Sequence, residues 1–170
     1  MKKLTIKTDR LIITTFDIIM AKTVHLNSLD DDNRLFVPDE VFETEQEVKE
    51  VIKTLMDCYN NVKGPFVYPI LLKTGENIGY VQAVRIDDQW EVGYHIRKKY
   101  TNNGYASEAL KHFLPYIIDK LEINQIWGIC LCDNIASIKV LEKCDFKLEY
   151  CGLGNYRGQA HQICKYLYKV

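Results

Sequence analysis

The pattern of hydrophobic and polar positions along the chain predicts alternating strands and helices. Short runs rich in β-branched and aromatic residues, bounded by turn residues, are typical of strands. Such runs predict seven strands, over residues 10–15, 66–72, 78–86, 90–96, 125–132, 146–153 and 159–168. Apolar residues at helical spacing predict helices over residues 17–27, 44–61, 104–121 and 134–143. This order predicts a mixed α/β (α+β) architecture, in which a hairpin-rich sheet carries helices on its faces.

Two of the predicted helices carry specific signals. Thr44 is followed three positions later by Glu47, which is the pattern of a capping box at a helix start. The helix over residues 104–121 presents one long apolar stripe. The stripe consists of Ala106, Ala109, Leu110, Phe113, Leu114, Ile117, Ile118 and Leu121. Pro115 lies inside this helix and predicts a kink or a weakened turn.

Length, composition and charge limit the classes of function. A chain of 170 residues fits one domain over residues 1–170, and 47% hydrophobic content indicates a globular protein. The net charge of -1 provides no global field for nucleic acid or an anionic membrane, so we expect neither partner. No apolar run approaches the ~20 residues of a membrane span, and the N-terminus lacks a signal-peptide pattern. We therefore expect a cytoplasmic protein.

The cysteines do not follow a metal-binding pattern. The chain has six of them: Cys58, Cys130, Cys132, Cys144, Cys151 and Cys164. None forms a Cys-x-x-Cys pair, and the four histidines do not cluster with them at zinc spacing. Cys130 and Cys132 are expected to share one face of a strand. We interpret all six as reduced core or half-buried thiols, which suits a reducing cytosol, and predict no metal site.

Residues 91–110 carry the chemically informative pattern, which is a strand, a polar turn and a helix start. Such a turn presents unpaired backbone N–H groups at the positive end of a helix dipole, an arrangement that binds pyrophosphate. Gly104 allows the backbone to approach the phosphates, and Lys98 and Lys99 add positive charge. The alternative for this stretch alone is an ordinary connection between a strand and a helix.

Four motifs occur in order along nearly the whole chain. They are Thr8-Asp9-Arg10-Leu11; Gly93-Tyr94; Tyr100 with Gly104-Tyr105-Ala106-Ser107-Glu108-Ala109; and Asn134-Ile135-Ala136-Ser137 followed by Val140-Leu141-Glu142-Lys143 and Phe146. In these motifs the sequence resembles the GNAT (GCN5-related N-acetyltransferase) family, and within it the RimJ/RimL-like branch of ribosomal-protein N-terminal acetyltransferases. The resemblance implies a mostly antiparallel, seven-stranded sheet whose fourth and fifth strands splay apart, with helices on both faces.

The resemblance also implies acetyl-CoA as cosubstrate, no metal, and a set of residues that hold the cofactor. The backbone of Ile96, Arg97 and Lys98 would hold the pantetheine arm, and Asn134 would bind near the thioester with Ser137 close by. The pyrophosphate would bind Asn102, Asn103, Gly104, Tyr105, Ala106 and Ser107. An alternative role for Asn134 is the N-cap of the following helix, and both roles can coexist.

The chain departs from the family pattern at several positions. Thr101 stands where the family usually has Arg or Gln, Asn102 replaces a loop glycine, and Asp145 replaces the glycine before Phe146. Asn is the non-glycine residue that best tolerates positive φ, so we expect the loop to keep its shape at Asn102. Leu141 occupies the place of a tyrosine that protonates the leaving thiolate in many members.

Acetyl transfer to an amine requires a deprotonated amine, a polarised thioester carbonyl and a reprotonated thiolate. Glu91 lies where some relatives carry a glutamate base, and His95 follows on the same strand face unless a bulge intervenes. An imidazole titrates near neutral pH, so His95 is a second candidate base. The alternatives are a solvated Glu91 and a partly buried His95. Ser137 is the better-placed hydroxyl for reprotonation in the ribosomal branch, and delivery by water is the alternative.

The acceptor implied by the resemblance is a primary amine, which could be a protein N-terminus, a polyamine or another small amine, acetylated in a ternary complex. Residues 30–50 contain nine acidic and two basic side chains, a local charge of -7 that would steer a cationic amine. A solvated helix face is the alternative for this segment. A homodimer is a family expectation. The alternative function is a non-catalytic acyl-CoA-binding or regulatory module. The departures from the family pattern at Thr101, Asn102 and Leu141 are the features that favour this alternative.

Overall fold

The computed structural model describes residues 4–36 and 40–170. These residues form one eight-stranded sheet in the order β1-β2-β3-β4-β5-β6-β8-β7. The strands are β1 (Thr5–Lys7), β2 (Leu11–Thr14), β3 (Phe66–Leu72), β4 (Asn77–Ile86), β5 (Gln89–Ile96), β6 (Gln125–Leu131), β7 (Lys147–Tyr156) and β8 (Gln159–Lys169). The predicted mixed α/β fold is confirmed, and the count of seven strands was one too low. The additional strand, β1, has three residues and two polar ends, too short a pattern to recognise in the sequence.

Within the described sheet, neighbouring strands are antiparallel except β5 and β6, which run parallel. β4 and β5 pair without interruption from Gly79–Ile96 to Ile86–Gln89. By contrast, β5 and β6 pair only at Glu91–Trp127 and Val92–Gly128. The two strands therefore separate toward Ile96, as predicted for the fourth and fifth strands. This gap positions the candidate site.

Five helices connect the strands in the described chain. They are α1 (Ala21–Ser28), α2 (Asp31–Phe36), α3 (Glu45–Cys58), α4 (Tyr105–Leu121) and α5 (Ile135–Lys143). The helix predicted over residues 17–27 is a 3-10 turn, Ile18–Met20, followed by α1, because Asp17 caps the turn. The short helix α2 was not predicted. None of the helices in the described ranges has both the length and the apolar composition to cross a membrane.

The sequence signals of α3 and α4 have clear structural counterparts. Thr44 accepts a hydrogen bond from the backbone N–H of Glu47, and the Glu47 carboxylate accepts one from the Thr44 backbone, so the predicted capping box is present. In α4 the buried positions are Ala109, Leu110, Phe113, Leu114 and Ile117. The helix continues through Pro115, so the proline does not end it.

Two hydrophobic cores lie on opposite faces of the sheet. The larger joins the stripe of α4 and Leu141 of α5 to one face of the central strands, including Ile78 and Val92. The smaller joins α1 and α3 to the other face and contains Phe16, Ala21, Val48, Ile52 and Val67. The residues of β3 alternate between these cores, because successive side chains of a strand point to opposite faces. Helices therefore cover both faces, as predicted.

The segment before β2 clamps the start of α4. The Glu108 carboxylate accepts hydrogen bonds from the Thr8 hydroxyl at 2.5 Å, from the Arg10 backbone N–H at 2.9 Å and from Arg10 Nε at 2.6 Å. The Arg10 guanidinium also donates to the Asn103 carbonyl at 2.9 Å and lies 4.6 Å from the centre of the Tyr105 ring. The Thr8–Leu11 motif therefore fixes the loop and the first turn of α4.

This clamp predicts a pH-dependent contribution to stability. Burial acts to raise the pKa of Glu108, but the hydrogen bonds from Thr8 and Arg10 outweigh it and hold that pKa below its ordinary value. A carboxyl whose pKa is lowered by folding stabilises the folded state above its unfolded pKa, and this contribution is lost as pH falls through the folded value.

We expect Glu108→Gln to lower the free energy of unfolding at neutral pH by about 1–3 kcal/mol, because the charged acceptor of the clamp is lost. The difference from the unsubstituted protein should shrink as pH falls through the folded pKa of Glu108. Urea unfolding at several pH values measures both effects. Glu149→Gln, in an exposed position of β7, is the matched control and should change stability little. Equal losses in both variants would contradict the clamp.

Candidate active site

A cleft of about 500 Å³ opens where β5 and β6 separate, and α4 and α5 contribute its other walls. Nine of the predicted site residues line it: His95, Ile96, Asn102, Gly104, Tyr105, Ala106, Ser107, Asn134 and Ser137. In an antiparallel ladder, alternate residues of a strand direct their N–H and C=O groups to the same neighbour. Arg97, just beyond the end of β5, continues the ladder with β4 by donating its N–H to Ile78 O, so the backbone groups of Tyr94 and Ile96 face the gap. The cleft therefore combines unpaired strand backbone with a helix start.

The loop between β5 and α4 has the shape of an anion-binding turn. Asn102 has φ 62° and Gly104 has φ 78°, so both adopt the left-handed conformation. The prediction that Asn102 tolerates positive φ is confirmed, and Asp145, the second residue in a glycine position, has φ 66°. The Asn103 side chain braces the loop by donating to the carbonyls of Tyr100 and Thr101 at 3.1 and 2.9 Å.

The first turn of α4 offers backbone N–H groups to the cleft. Gly104 is the N-cap and has no side chain with which to cap the helix. The first intrahelical bond is donated by Glu108 to Gly104 O at 3.0 Å, which leaves the N–H groups of Tyr105, Ala106 and Ser107 ahead of it. A Cβ on Gly104 would meet one atom within 4 Å, the Arg10 guanidinium at 3.5 Å, so this side of the loop is open.

Three predicted cofactor residues lie outside the lining of the cleft. The Arg97 N–H bonds to Ile78 O at 2.8 Å, and the Lys98 N–H bonds to the Asp30 carboxylate at 2.7 Å. Their carbonyls accept from Tyr100 and Thr101. The structure therefore does not support pantetheine contacts from these two backbones, and Ile96 alone of the three lies on the cleft. Asn103 contributes through the shape of the loop.

Asn134 and Ser137 lie at the start of α5. The Asn134 side chain accepts from the Ser137 N–H at 3.1 Å, so it is the N-cap, and the cap uses only its oxygen. The Ser137 hydroxyl is 2.9 Å from the Tyr94 hydroxyl, and both residues line the cleft. Burial raises the pKa of Tyr94, although the hydrogen bond to Ser137 acts in the other direction. Tyr94 therefore stays protonated at neutral pH and can donate.

A second cavity of about 470 Å³ lies on the opposite face of the sheet, between α1, α3 and β4. Its walls are mainly apolar: Phe16, Val24, Phe42, Val51, Ile52, Leu55, Pro65, Val67 and Val84. Five residues line both this cavity and the cleft. They are Glu40, Tyr80, Gln82, His95 and Arg157. The two spaces therefore meet at the open end of β5.

One end of the second cavity is polar. The Asn27 amide donates to the backbone carbonyl and the side-chain oxygen of Asn77 at 3.1 and 3.0 Å, and that oxygen also accepts from the Gly79 N–H at 3.0 Å. These contacts fix both amide orientations. Within the described residues, the Asn27 oxygen and the Asn77 amide nitrogen remain buried without a hydrogen-bond partner. Asn27 and Asn77 therefore make this part of the cavity lining polar.

The two candidate bases occupy different places along β5. The uninterrupted pairing with β4 puts Glu91, Gly93 and His95 on one face, as predicted. His95 lines both cavities, whereas Glu91 is not among the described residues that line either one. Glu91 sits where β5 and β6 still pair, opposite Trp127. Burial raises the pKa of Glu91, and the nearby Lys165 partly opposes this effect.

The comparison with known proteins agrees with this geometry. The model of the acetyltransferase (GNAT) domain matches residues 10–147. The chain belongs to the GNAT acetyltransferase family. A relative, the uncharacterized N-acetyltransferase YnaD of Bacillus subtilis (strain 168), is 28% identical over 149 residues, which cover 85% of this chain and 83% of YnaD. The family predicted from the sequence motifs is confirmed.

Solved structures share the fold of this GNAT acetyltransferase. A GNAT-family acetyltransferase from Bacillus anthracis has a TM-score of 0.82 at 24% identity and covers 98% of both chains. The ribosomal-protein alpha-N-acetyltransferase RimL, in complex with coenzyme A, has a TM-score of 0.83 at 19% identity with the same coverage. At these identities the likeness is one of fold, and it is consistent with the predicted RimJ/RimL-like branch.

The junction of the two cavities contains Tyr80 and Arg157, which the sequence analysis of this acetyltransferase missed, and Glu40, one of the acidic residues expected to steer the amine. Tyr80 donates a hydrogen bond to the Glu40 carboxylate, which also pairs with Arg157 at 3.2 Å. The rings of Tyr80 and His95 lie 6.0 Å apart. Glu40 and Arg157 are 117 positions apart in the sequence. No local pattern signals such a contact. Asp39, one of the acidic residues expected to steer the amine, lies outside the described residues.

We expect Gly104→Asp to abolish binding of acetyl-CoA, because it places a carboxylate and a Cβ where the loop would meet the pyrophosphate. Isothermal titration calorimetry measures the affinity. Gly75→Asp is the matched control, since Gly75 also has positive φ, at 90°, has no atom within 4 Å of its ideal Cβ, and lies outside the cleft. Unchanged affinity in Gly104→Asp would remove the assignment of this loop.

Proposed function

We propose that this chain, as one domain over residues 1–170, transfers an acetyl group from acetyl-CoA to a primary amine in a ternary complex. The observation that carries the proposal is the junction at His95, where a cleft with an anion-binding helix start meets an apolar cavity on the other face of the sheet. Coenzyme A in the RimL complex supports the choice of acetyl-CoA as the cosubstrate. The two substrates would then approach each other from opposite sides of β5.

We assign the pyrophosphate to the loop and first turn of α4, from Asn102 to Ser107, and the pantetheine arm to the backbone of Tyr94 and Ile96. Asn134 lies at the far end of the cleft, near Ser137 and Tyr94. The thioester would lie at this end, where the amide hydrogens of Asn134 can bind the cofactor. Ser137, hydrogen-bonded to the protonated Tyr94, is the proposed donor of a proton to the leaving thiolate.

The shape of the second cavity favours a small acceptor. Its volume of about 470 Å³ falls in the range of small-molecule sites. Apolar walls disfavour a polyamine, because Glu40, the one carboxylate among the described lining residues, is already paired with Arg157 and a second ammonium group would lack its own counter-charge. The polar part of the lining, formed by Asn27, Asn33 and Asn77, would suit one polar group on the acceptor. We therefore propose a small monoamine with an apolar body and one polar group, rather than a polyamine or a protein N-terminus.

The test of the function is a turnover assay with acetyl-CoA and a panel of amines. Release of the free thiol of coenzyme A is the readout. The panel should contain apolar monoamines with an amide or hydroxyl group, polyamines and short peptides with free N-termini. Turnover of the first group with the highest kcat/KM would support the proposal. Binding of acetyl-CoA without turnover of any amine would favour the alternative, a non-catalytic acyl-CoA-binding or regulatory module.

The free state of all six cysteines supports a reducing, cytoplasmic location.

We propose His95 as the general base, because it lines both spaces, whereas Glu91 is not among the described residues that line either. We expect His95→Gln to lower kcat by about 10²–10⁴-fold and to remove the acid limb of the pH–rate profile, because this base is lost. Affinity for acetyl-CoA should change little. Glu91→Gln is the matched comparison on the same strand face. If Glu91→Gln instead removes the acid limb and His95→Gln leaves it in place, the base is Glu91.

We expect Val24→Phe to raise the KM for the amine acceptor, because the larger side chain occupies the second cavity, while affinity for acetyl-CoA stays the same. Steady-state kinetics with the best amine and calorimetry with acetyl-CoA measure the two effects. Val62→Phe is the control, since Val62 is 83% exposed and lies outside both cavities. An unchanged KM in Val24→Phe would place the acceptor elsewhere.

A further inference from the structure

Three cysteines from three strands meet at one end of the sheet. Cys132 directly follows β6, Cys151 lies in β7 and Cys164 lies in β8 between them. Cys151 and Cys164 are direct cross-strand partners, and the Cys132 N–H extends the ladder by donating to Gln162 O at 2.9 Å. The three sulfur atoms are separated by 3.1 Å (Cys132–Cys164), 3.4 Å (Cys132–Cys151) and 3.4 Å (Cys151–Cys164). They form a nearly equilateral triangle.

The triangle is slightly smaller than that of a thiolate metal site, in which tetrahedral zinc–sulfur bonds of about 2.3 Å place the sulfurs about 3.8 Å apart. The sulfurs would therefore move apart by about 0.4–0.7 Å when an ion binds tetrahedrally, a shift that the exposed Cys151 and the half-buried Cys132 can make. That geometry leaves the fourth position of a tetrahedron for water or another external ligand. Cys164 is buried, Cys132 is half-buried and Cys151 is exposed, so the triangle reaches the surface on one side. An ion can enter without rearrangement of the core.

The chemistry of the three groups also favours a cation. Thiolates are soft ligands and select zinc or copper(I) over magnesium or calcium. A bound divalent cation would compensate the negative charges and release the thiol protons to solvent. The spacings of 19 and 13 residues hide this cluster from any sequence motif.

We propose that Cys132, Cys151 and Cys164 form a binding site for a thiophilic d¹⁰ cation, with zinc(II) as the first candidate. The site is separate from the proposed acetyl transfer and does not depend on it. It would tie together β6, β8 and β7 just before Asn134. The prediction of no metal site rested on the spacing of the cysteines in the sequence. That spacing does not reveal cysteines that the sheet brings together from distant parts of the chain.

The proposal is tested with the full chain, reduced and freed of metal, by titration with zinc(II) alone in competition with a chromophoric chelator. We expect one equivalent to bind and the melting temperature to rise with zinc concentration, since a ligand that binds the folded state stabilises it. Cobalt(II) in place of zinc should give sulfur-to-metal charge-transfer absorption in the near ultraviolet. Absence of stoichiometric binding to the reduced protein would overturn the proposal.

The decisive variant is Cys151→Ser, because Cys151 is exposed and its replacement leaves the core intact. Removal of a direct ligand should weaken zinc binding by more than about 100-fold, the upper end of the loss seen when only an outer-shell partner is removed. Cys58→Ser, a cysteine of α3 outside the cluster, should bind zinc as the unsubstituted protein does. Equal affinity in Cys151→Ser would overturn the proposal.

Mild oxidation distinguishes a metal site from a redox-active cysteine cluster. Mass spectrometry of the protein after treatment with a mild oxidant, with and without one equivalent of zinc(II), reports whether two of the three sulfurs form a disulfide. Protection of the three thiols by zinc is the expected result. Ready disulfide formation that zinc does not slow would assign the cluster to redox chemistry and overturn the metal site.

Discussion

The parallel pairing of β5 and β6, limited to Glu91 and Val92 on β5, is the constraint on which the rest of the site depends. Both strands are anchored on their other sides, β5 by continuous pairing with β4 and β6 by pairing with β8. The sheet therefore stays intact while its middle opens. Peptide groups that would pair in a regular ladder are left for a ligand, and unpaired buried peptide groups are costly unless they find such a partner. The opening thus creates a binding surface from backbone that any sequence could supply.

The same opening connects the two faces of the sheet. In a closed sheet, successive side chains of a strand are separated by the strand itself. Here Tyr94 and His95 are neighbours in sequence and point to opposite faces, yet both line the cleft. Under the proposed function, proton donation and proton removal would therefore occur on opposite sides of one strand. Gly79 supports this arrangement, because a Cβ at that position would lie 2.0 Å from His95 O.

Most of the fold could be predicted from local patterns. The capping box at Thr44 and the stripe of α4 depend on residues within one helix, so the sequence alone reveals them. The loop shape at Asn102 follows from the conformational preference of one residue type. The very short elements β1 and α2 were missed, because three to six residues carry too little periodicity.

Much of the site could not be predicted in this way. The pairing of Glu40 with Arg157 and the convergence of three thiols arise from the order of strands in the sheet. The amide hydrogens of Arg97 and Lys98 are used by groups far away in the chain, which a motif cannot reveal. Family motifs therefore predicted the loop to which we assign the cofactor, while the proposed acceptor cavity could be recognised only from the coordinates.

The contact between Thr8 and Glu108 spans 100 positions of the chain. Closing so long a loop costs conformational entropy before the contact can repay it, and folds rich in such contacts form slowly. The turn ahead of α4 can form from local residues. The contacts of Thr8 and Arg10 that stabilise it form only when the N-terminal segment docks on the sheet. The proposed phosphate pocket is consequently complete only when the N-terminal segment has docked, so under our proposal cofactor binding depends on a contact between residues from the two halves of the chain.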